Sequence, residues 1–160
     1  AVLSAREGIA IENGPTSDTA PVHRLVRALT DIAPQVHFMR DPTRGGAAAV
    51  LNEIVEERPF DITLEEERIP YSAGCRAVSE MLGLDPLHVA SEGRVIAVCS
   101  ADVADAALAA WQSLEEGRNS AALGCVTTEP GKGGRVILRT VTGGRRLVDV
   151  PRGELLPRIC

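Results

Sequence analysis

Between residues 22 and 150 the apolar residues switch repeatedly between helical and strand spacing, and this alternation constrains the fold more than any other feature. Residues 5–21 form a polar connector rich in turn formers. Ser17 or Asp18 there could cap a helix beginning near Ala20-Pro21. Val22, Leu25, Val26, Leu29 and Ile32 then recur at helical spacing, and Pro34 ends the helix. A short strand is predicted over 36–40, and a helix over 47–57 with Val50, Leu51, Ile54 and Val55 on one face. A strand over 61–69 follows, with polar alternation at Glu65 and Glu67, and then a helix over 72–82 stopped by Gly83. Residues 94–99 are a strongly apolar strand, 102–116 an Ala-rich helix and 121–128 a strand. Residues 135–141 and 145–150 make a hairpin across Thr142-Gly143-Gly144. This order gives an α/β or α+β domain with a mixed sheet and helices packed on it. No Gly-x-Gly-x-x-Gly fingerprint or Walker lysine motif is present, so a doubly wound dinucleotide fold is excluded.

Composition narrows the class. The 160 residues include only four aromatics, so the core must be built from Val, Ile, Leu and Ala. A net charge of −5 argues against nucleic-acid binding. No apolar run reaches membrane-spanning length, and a cytoplasmic location is the expectation. Cys75, Cys99, Cys125 and Cys160 show no zinc-site spacing, and no metal site is expected from them. Cys99 and Cys125, each in an apolar strand-like run, read as small buried hydrophobes, and Cys75 as a structural helix residue. The opening Ala1-Val2-Leu3-Ser4 has no initiating Met and reads as a cut at a domain boundary.

Three places could carry chemistry. The chain ends in Pro151-Arg-Gly-Glu-Leu-Leu-Pro-Arg-Ile-Cys160, whose prolines and glycine resist helix and central strand. Fully extended, such a stretch reaches roughly 33 Å and could be an arm with a thiol at its tip. A frayed terminus with an incidental Cys is the competing reading. Asp41-Pro42-Thr43-Arg44-Gly45-Gly46 lies between a strand and a helix. Two glycines allow close backbone approach, the helix N-terminus favours an anion, and Arg44 can grip phosphate. Asp41 could hold a metal or orient Arg44; alternatively Asp41 or Thr43 simply caps the helix. Glu92, before the most apolar strand, could act as a base or be a solvated loop residue. His23 is expected on a helix surface, and His37 and His88 in structural roles.

Pro157-Arg158-Ile159-Cys160 at the C-terminus, with the Asp41–Gly46 segment, resembles the HypE family of hydrogenase maturation proteins. Ser4-Ala5-Arg6-Glu7-Gly8, Ser17-Asp18-Thr19-Ala20-Pro21, Leu82-Gly83-Leu84-Asp85-Pro86-Leu87 and Glu92-Gly93 fit the same family. The Gly-Gly loop is shared more widely with the PurM-like (AIR synthetase) superfamily. The resemblance implies a PurM C-terminal-domain-like arrangement of α/β/α layers with partial ferredoxin-like similarity. It divides the chain into a domain at 1–150 and a mobile tail at 151–160. It also implies that the chain is the C-terminal half of a longer protein, whose N-terminal domain supplies most ATP and Mg2+ contacts and the homodimer interface.

The implied activity is an ATP-dependent carbamoyl dehydratase that makes the cyanide ligand of [NiFe]-hydrogenase iron. A HypF-like partner would carbamoylate Cys160, ATP would activate the carboxamide oxygen, and the thiocyanate formed would pass to a HypC–HypD-like iron scaffold. By position, Cys160 carries the substrate, Pro157, Arg158 and Ile159 steer it, and Glu92 accepts the proton. Asp41, Thr43, Arg44, Gly45 and Gly46 line the phosphate side. One departure stands out: the family pattern leads to Asn before Glu-Gly, and this chain has Ser91. Two alternatives remain: another ATP-using PurM-like enzyme of the selenophosphate or thiamine-phosphate type, or a carrier and docking domain without catalysis of its own.

Overall fold

The computed structural model describes residues 17–128 and 133–150. It is a mixed α/β domain with two sheets. The larger has the order β4-β2-β5-β6, from β2 (Asp61–Glu65), β4 (Gly124–Thr127), β5 (Val136–Arg139) and β6 (Arg145–Leu147). β2 pairs antiparallel with β4 and parallel with β5, and β6 returns antiparallel to β5 as the expected hairpin. The smaller sheet pairs β1 (Val36–Arg40) with β3 (Ile96–Cys99) antiparallel, with an irregularity between Val36 and Phe38. The α-helices among the described residues are α1 (His23–Ala28), α2 (Gly46–Val55), α3 (Ala73–Leu82) and α4 (Ala104–Gln112).

The core lies where α2 crosses the larger sheet. Ala48, Leu51 and Val55 of α2 pack with Ile62 and Leu64 of β2, Val136 and Leu138 of β5, and Val148. Each buried aliphatic side chain contributes about 1.5–3 kcal/mol. Asp61 is buried at the head of β2, 3% exposed. A charge so placed must be paired. Its Oδ1 accepts from the Arg135 backbone N–H at 3.0 Å and from Nε at 3.2 Å, while Oδ2 takes the guanidinium. Ile62 N donates to Arg135 O at 2.9 Å, so this knot sets the parallel register of β2 and β5. On the other flank α1 packs against α4, where Trp111 Nε1 donates to Leu25 O at 2.9 Å.

Several elements are shorter than their spacing suggests. The first α-helix ends at Ala28 and continues as a 3-10 turn, Thr30–Gln35, with Pro34 inside it. Thr30 Oγ1 donates to Arg27 O at 2.7 Å and competes for a carbonyl of the last turn. Strand β2 stops at Glu65 because Glu66–Arg68 turns as a 3-10 helix, and the Glu66 carboxylate accepts from Val141 N at 2.9 Å. The Ala-rich helix begins at Ala104 after a 3-10 turn and ends at Gln112, where Ser113 Oγ donates back to Ala110 O. Helix α3 follows its signals closely: Ser72 Oγ caps it through the N–H of Cys75, and Gly83 ends it with φ 64°.

Cys125 is exposed, contrary to the expectation of a buried hydrophobe, and Cys99 is only half-buried. Strand β4 is a sheet edge whose residues are largely uncovered; its Val126 is 42% exposed. Replacing Leu138, 1% exposed at the centre of the core, by Ala should lower stability by about 2–5 kcal/mol, read as a shift in the urea midpoint with an unchanged m value.

Candidate functional site

Strand pairing brings two loops together. In the β1–β3 ladder Arg40 stands opposite Ile96, so the loop leaving β1 and the loop entering β3 emerge at the same end. The first is Asp41–Gly45 and the second contains Ser91, Glu92 and Gly93. Ser91 N donates to Pro42 O at 3.0 Å, and Ser91 Oγ donates to Asp18 Oδ2 at 2.6 Å. Three segments distant in sequence are thereby tied side by side. Gly93 is buried with its Cα against the backbone of Asp18 and Ala20, where a Cβ would overlap main-chain atoms.

Gly45 and Gly46 have φ of 68° and 64°, a region that favours glycine. At Gly46 a Cβ would lie 2.5 Å from Leu87 O and 2.6 Å from Val89 O. The helix thus starts pressed against the Pro86–His88 turn. No side chain caps α2, so neither Asp41 nor Thr43 has the cap role, and no acidic residue sits in its first turn. Its N-terminal N–H groups and dipole suit an anion. Asp41 and Arg44 are exposed beside this helix start, and Thr43 is half-buried. Glu92 is exposed, next to the Ser91 that is bonded to Pro42. Together the loops present a helix N-terminus, a guanidinium and a carboxylate on one end of the domain. That set can hold a phosphate group and offer a proton acceptor near it.

Asp18 is the residue whose role the sequence did not reveal. It does not cap α1, whose N-cap is Val22 without a side-chain bond, but accepts from Ser91 73 positions away. Only its place in Ser17-Asp18-Thr19-Ala20-Pro21 marked it. Cys160, Pro157, Arg158 and Ile159 lie outside the described residues. The chain is described as far as Val150, and Val148 is anchored: its N–H donates to Val136 O at 2.8 Å, and Asn52 Nδ2 donates to its carbonyl at 2.7 Å.

The other candidates lie apart from these loops. His23 is exposed on α1, and His37 Nε2 bonds Ser100 Oγ at 2.8 Å. A cavity of about 590 Å³ lies toward the far end of α2, floored by Phe38, Ile54, Phe60 and Val98, and none of the loop residues lines it. Among the described residues no three His, Cys, Asp or Glu side chains gather where they could hold a metal. Nor is any helix among them long and apolar enough to cross a membrane. Tyr71 is held above the usual tyrosine range, first by burial and then by the nearby Asp85 carboxylate.

Two outcomes are expected. Gly46→Ala must both strain φ and displace the backbone at 87–89, so α2 should lose its seat; the melting temperature should fall by at least about 2–4 °C, which for a chain of this length corresponds to a loss of about 1 kcal/mol. Burial, and then the Asp102 carboxylate, push the Cys99 thiol up. Less of it is thiolate at pH 8 and it is only half-exposed, so a disulfide reagent should modify exposed Cys125 faster than Cys99, as resolved by peptide mapping.

Residues 1–137 match the model of the family described as AIR synthase related protein, C-terminal domain. The carbamoyl dehydratase HypE of Cupriavidus necator is 44% identical over 100% of this chain and 45% of its own length. The corresponding protein of Azotobacter vinelandii is 42% identical over 99% of this chain and 46% of its own length. Among solved structures, hydrogenase maturation protein HypE in complex with ATP superposes with a TM-score of 0.90 at 35% identity, over 99% of this chain and 48% of that one. A HypE–HypF complex gives 0.87 at 36% identity, over 94% of this chain and 48% of that one. The chain spans a little under half the length of the curated relatives it matches. With this fold and these joined loops, the chain belongs to the AIR synthase related protein family, C-terminal domain, and resembles the HypE carbamoyl dehydratases across nearly its whole length.

Proposed function

We propose that this chain is the C-terminal half of a HypE-type carbamoyl dehydratase acting in [NiFe]-hydrogenase maturation. The observation that carries this reading is the hydrogen-bonded junction of the glycine loop with the Glu92 loop, through Ser91 and Pro42. It brings the loop that leads into α2, whose N-terminus suits an anion, beside the loop that carries Glu92, on a chain whose sequence ends in a cysteine. HypE-type relatives, one solved with ATP and one with HypF, support the same reading.

In this reading residues 1–150 are the domain and 151–160 the arm that brings Cys160 to the loops. A HypF-like partner places a carbamoyl group on the Cys160 sulfur. The γ-phosphoryl group of ATP moves to the carboxamide oxygen and makes it a leaving group. Both N–H protons are lost, the C–O bond breaks with departure of phosphate, and a C≡N triple bond remains on sulfur as a thiocyanate. Glu92 accepts a proton; the α2 N-terminus, Thr43 and Arg44 hold the phosphate; Asp41 orients Arg44; Pro157, Arg158 and Ile159 guide the thiol. The cyano group then passes to iron on a HypC–HypD-like scaffold. Such a protein works as a homodimer in the cytoplasm.

Magnesium, when bound, would neutralise the nucleotide phosphates. On this reading most of its contacts come from the N-terminal half, as the resemblance to HypE-type proteins implies. Exposure of Asp41, Arg44 and Glu92 on this half agrees with a site completed by another surface. It also favours a second reading, in which the 160 residues alone are a carrier and docking domain with weak or no ATP binding. Tight ATP binding in a calorimetric titration of the chain would exclude that.

The deciding experiment is intact mass of this domain joined to its N-terminal half, with a HypF-type partner, carbamoyl phosphate and ATP. Cys160→Ala is the control. One carbamoyl group should appear on Cys160 and then lose one water, the second step only when the dehydratase's own ATP reaction is allowed. Unmodified Cys160 with continued ATP consumption would point to a different PurM-like reaction.

A further inference from the structure

Glu92 is exposed, yet the residues on both sides of it are held by the same partner. Before it, Ser91 Oγ donates to Asp18 Oδ2 at 2.6 Å. After it, Gly93 is buried with its Cα against the main chain of Asp18 and Ala20, and a Cβ there would overlap the Asp18 carbonyl. Asp18 therefore meets Ser91 with its side chain and Gly93 with its backbone. Ser91 N donates in addition to Pro42 O at 3.0 Å, in the loop that leads to Gly45 and Gly46. Glu92 is left as an exposed side chain on a backbone fixed at both neighbours.

A hydroxyl donating to a carboxylate makes a short, charge-assisted hydrogen bond, stronger than a neutral one. Here it joins two half-buried residues that both lie outside helices and strands, and Asp18 caps no helix with that carboxylate. What the bond fixes is the place of residues 91–93 beside the glycine loop. A carboxylate that must meet a proton at hydrogen-bond distance depends on such a fixed backbone, since a misplacement of about 1 Å can cost on the order of a hundredfold in rate. We propose that Asp18 is a positioning residue, which acts through Ser91 and Gly93 to hold the Glu92 carboxylate in place beside the glycine loop. This rests on the reading that Glu92 accepts the proton in the dehydration.

The test compares Asp18→Ala, Asp18→Asn and Ser91→Ala in the full-length protein. Asn keeps an oxygen that accepts from the Ser91 hydroxyl, whereas Ala at either position breaks the bond. Hydrogen exchange at the Ser91 amide should be about tenfold faster in D18A and S91A, the loss expected for one hydrogen bond to a charged group, and within about twofold of wild type in D18N. Amides of the β2–β5 ladder should keep their wild-type rates in all three. With Cys160 carbamoylated, single-turnover dehydration should slow about tenfold in D18A and recover most of its rate in D18N. The ATP concentration giving half the maximal rate should not move. The D18A/S91A double variant should be no slower than D18A, because both changes remove the same bond. Wild-type exchange at Ser91 in D18A, additive losses in the double variant, or a raised ATP requirement with the maximal rate intact overturns the proposal. If D18A does not fold, S91A breaks the same bond from the other side and takes its place. If wild-type protein fails to dehydrate at all, the dehydratase reading falls, and the exchange rates alone decide whether Asp18 holds the Glu92 loop.

Discussion

The arrangement depends on one close approach, the backbone of Gly46 against the carbonyls of Leu87 and Val89. Any side chain at Gly46 would occupy the space those oxygens fill. The contact seats the first turn of α2, and α2 in turn supplies Ala48, Leu51 and Val55 to the core. Core packing and site geometry are thus the same constraint seen from two ends of one helix. On the proposed reading, a loop anchored this way would present its N–H groups to a phosphate without reorganising, which is the condition for strong electrostatic stabilisation.

Charges in this domain fall into two kinds. Asp61 is buried and engaged by Arg135, and Asp85 is shared by Arg146 and the Leu87 N–H. These carboxylates build structure. Asp41, Arg44 and Glu92 instead stand exposed on two loops that the backbone, not the charges, holds together. Exposed charges act weakly across water and strongly once water is excluded. On the proposed reading, chemistry at these loops needs a covering surface that excludes water.

The alternation of helix and strand spacing read most of the architecture correctly, because local periodicity reports which face is covered. Helix α3, framed by Ser72 and Gly83, was legible almost to the residue, and the β5–β6 hairpin was legible as a hairpin, though its strands are two to three residues shorter at their C-terminal ends than expected. What was not legible depends on distant partners. Whether Cys125 is buried depends on β4 being an edge strand, which no local pattern encodes. The split into two sheets depends on β1 choosing β3. In the candidate site, the glycine loop and Glu92 were visible as motifs, but Asp18 looked like a helix cap, since Ser and Asp before a helix usually cap it. Its bond to Ser91 could be found only in three dimensions.

That bond also bears on the departure from the family pattern at Ser91. Ser91 makes two bonds that fix its loop, one through its backbone N–H to Pro42 and one through its hydroxyl to Asp18. The first needs no particular side chain; the second needs a donor short enough to reach Asp18. A serine hydroxyl meets that need while leaving Glu92, the next residue, turned to solvent. With Ser91 at this position the loop therefore keeps a fixed backbone beside an exposed carboxylate.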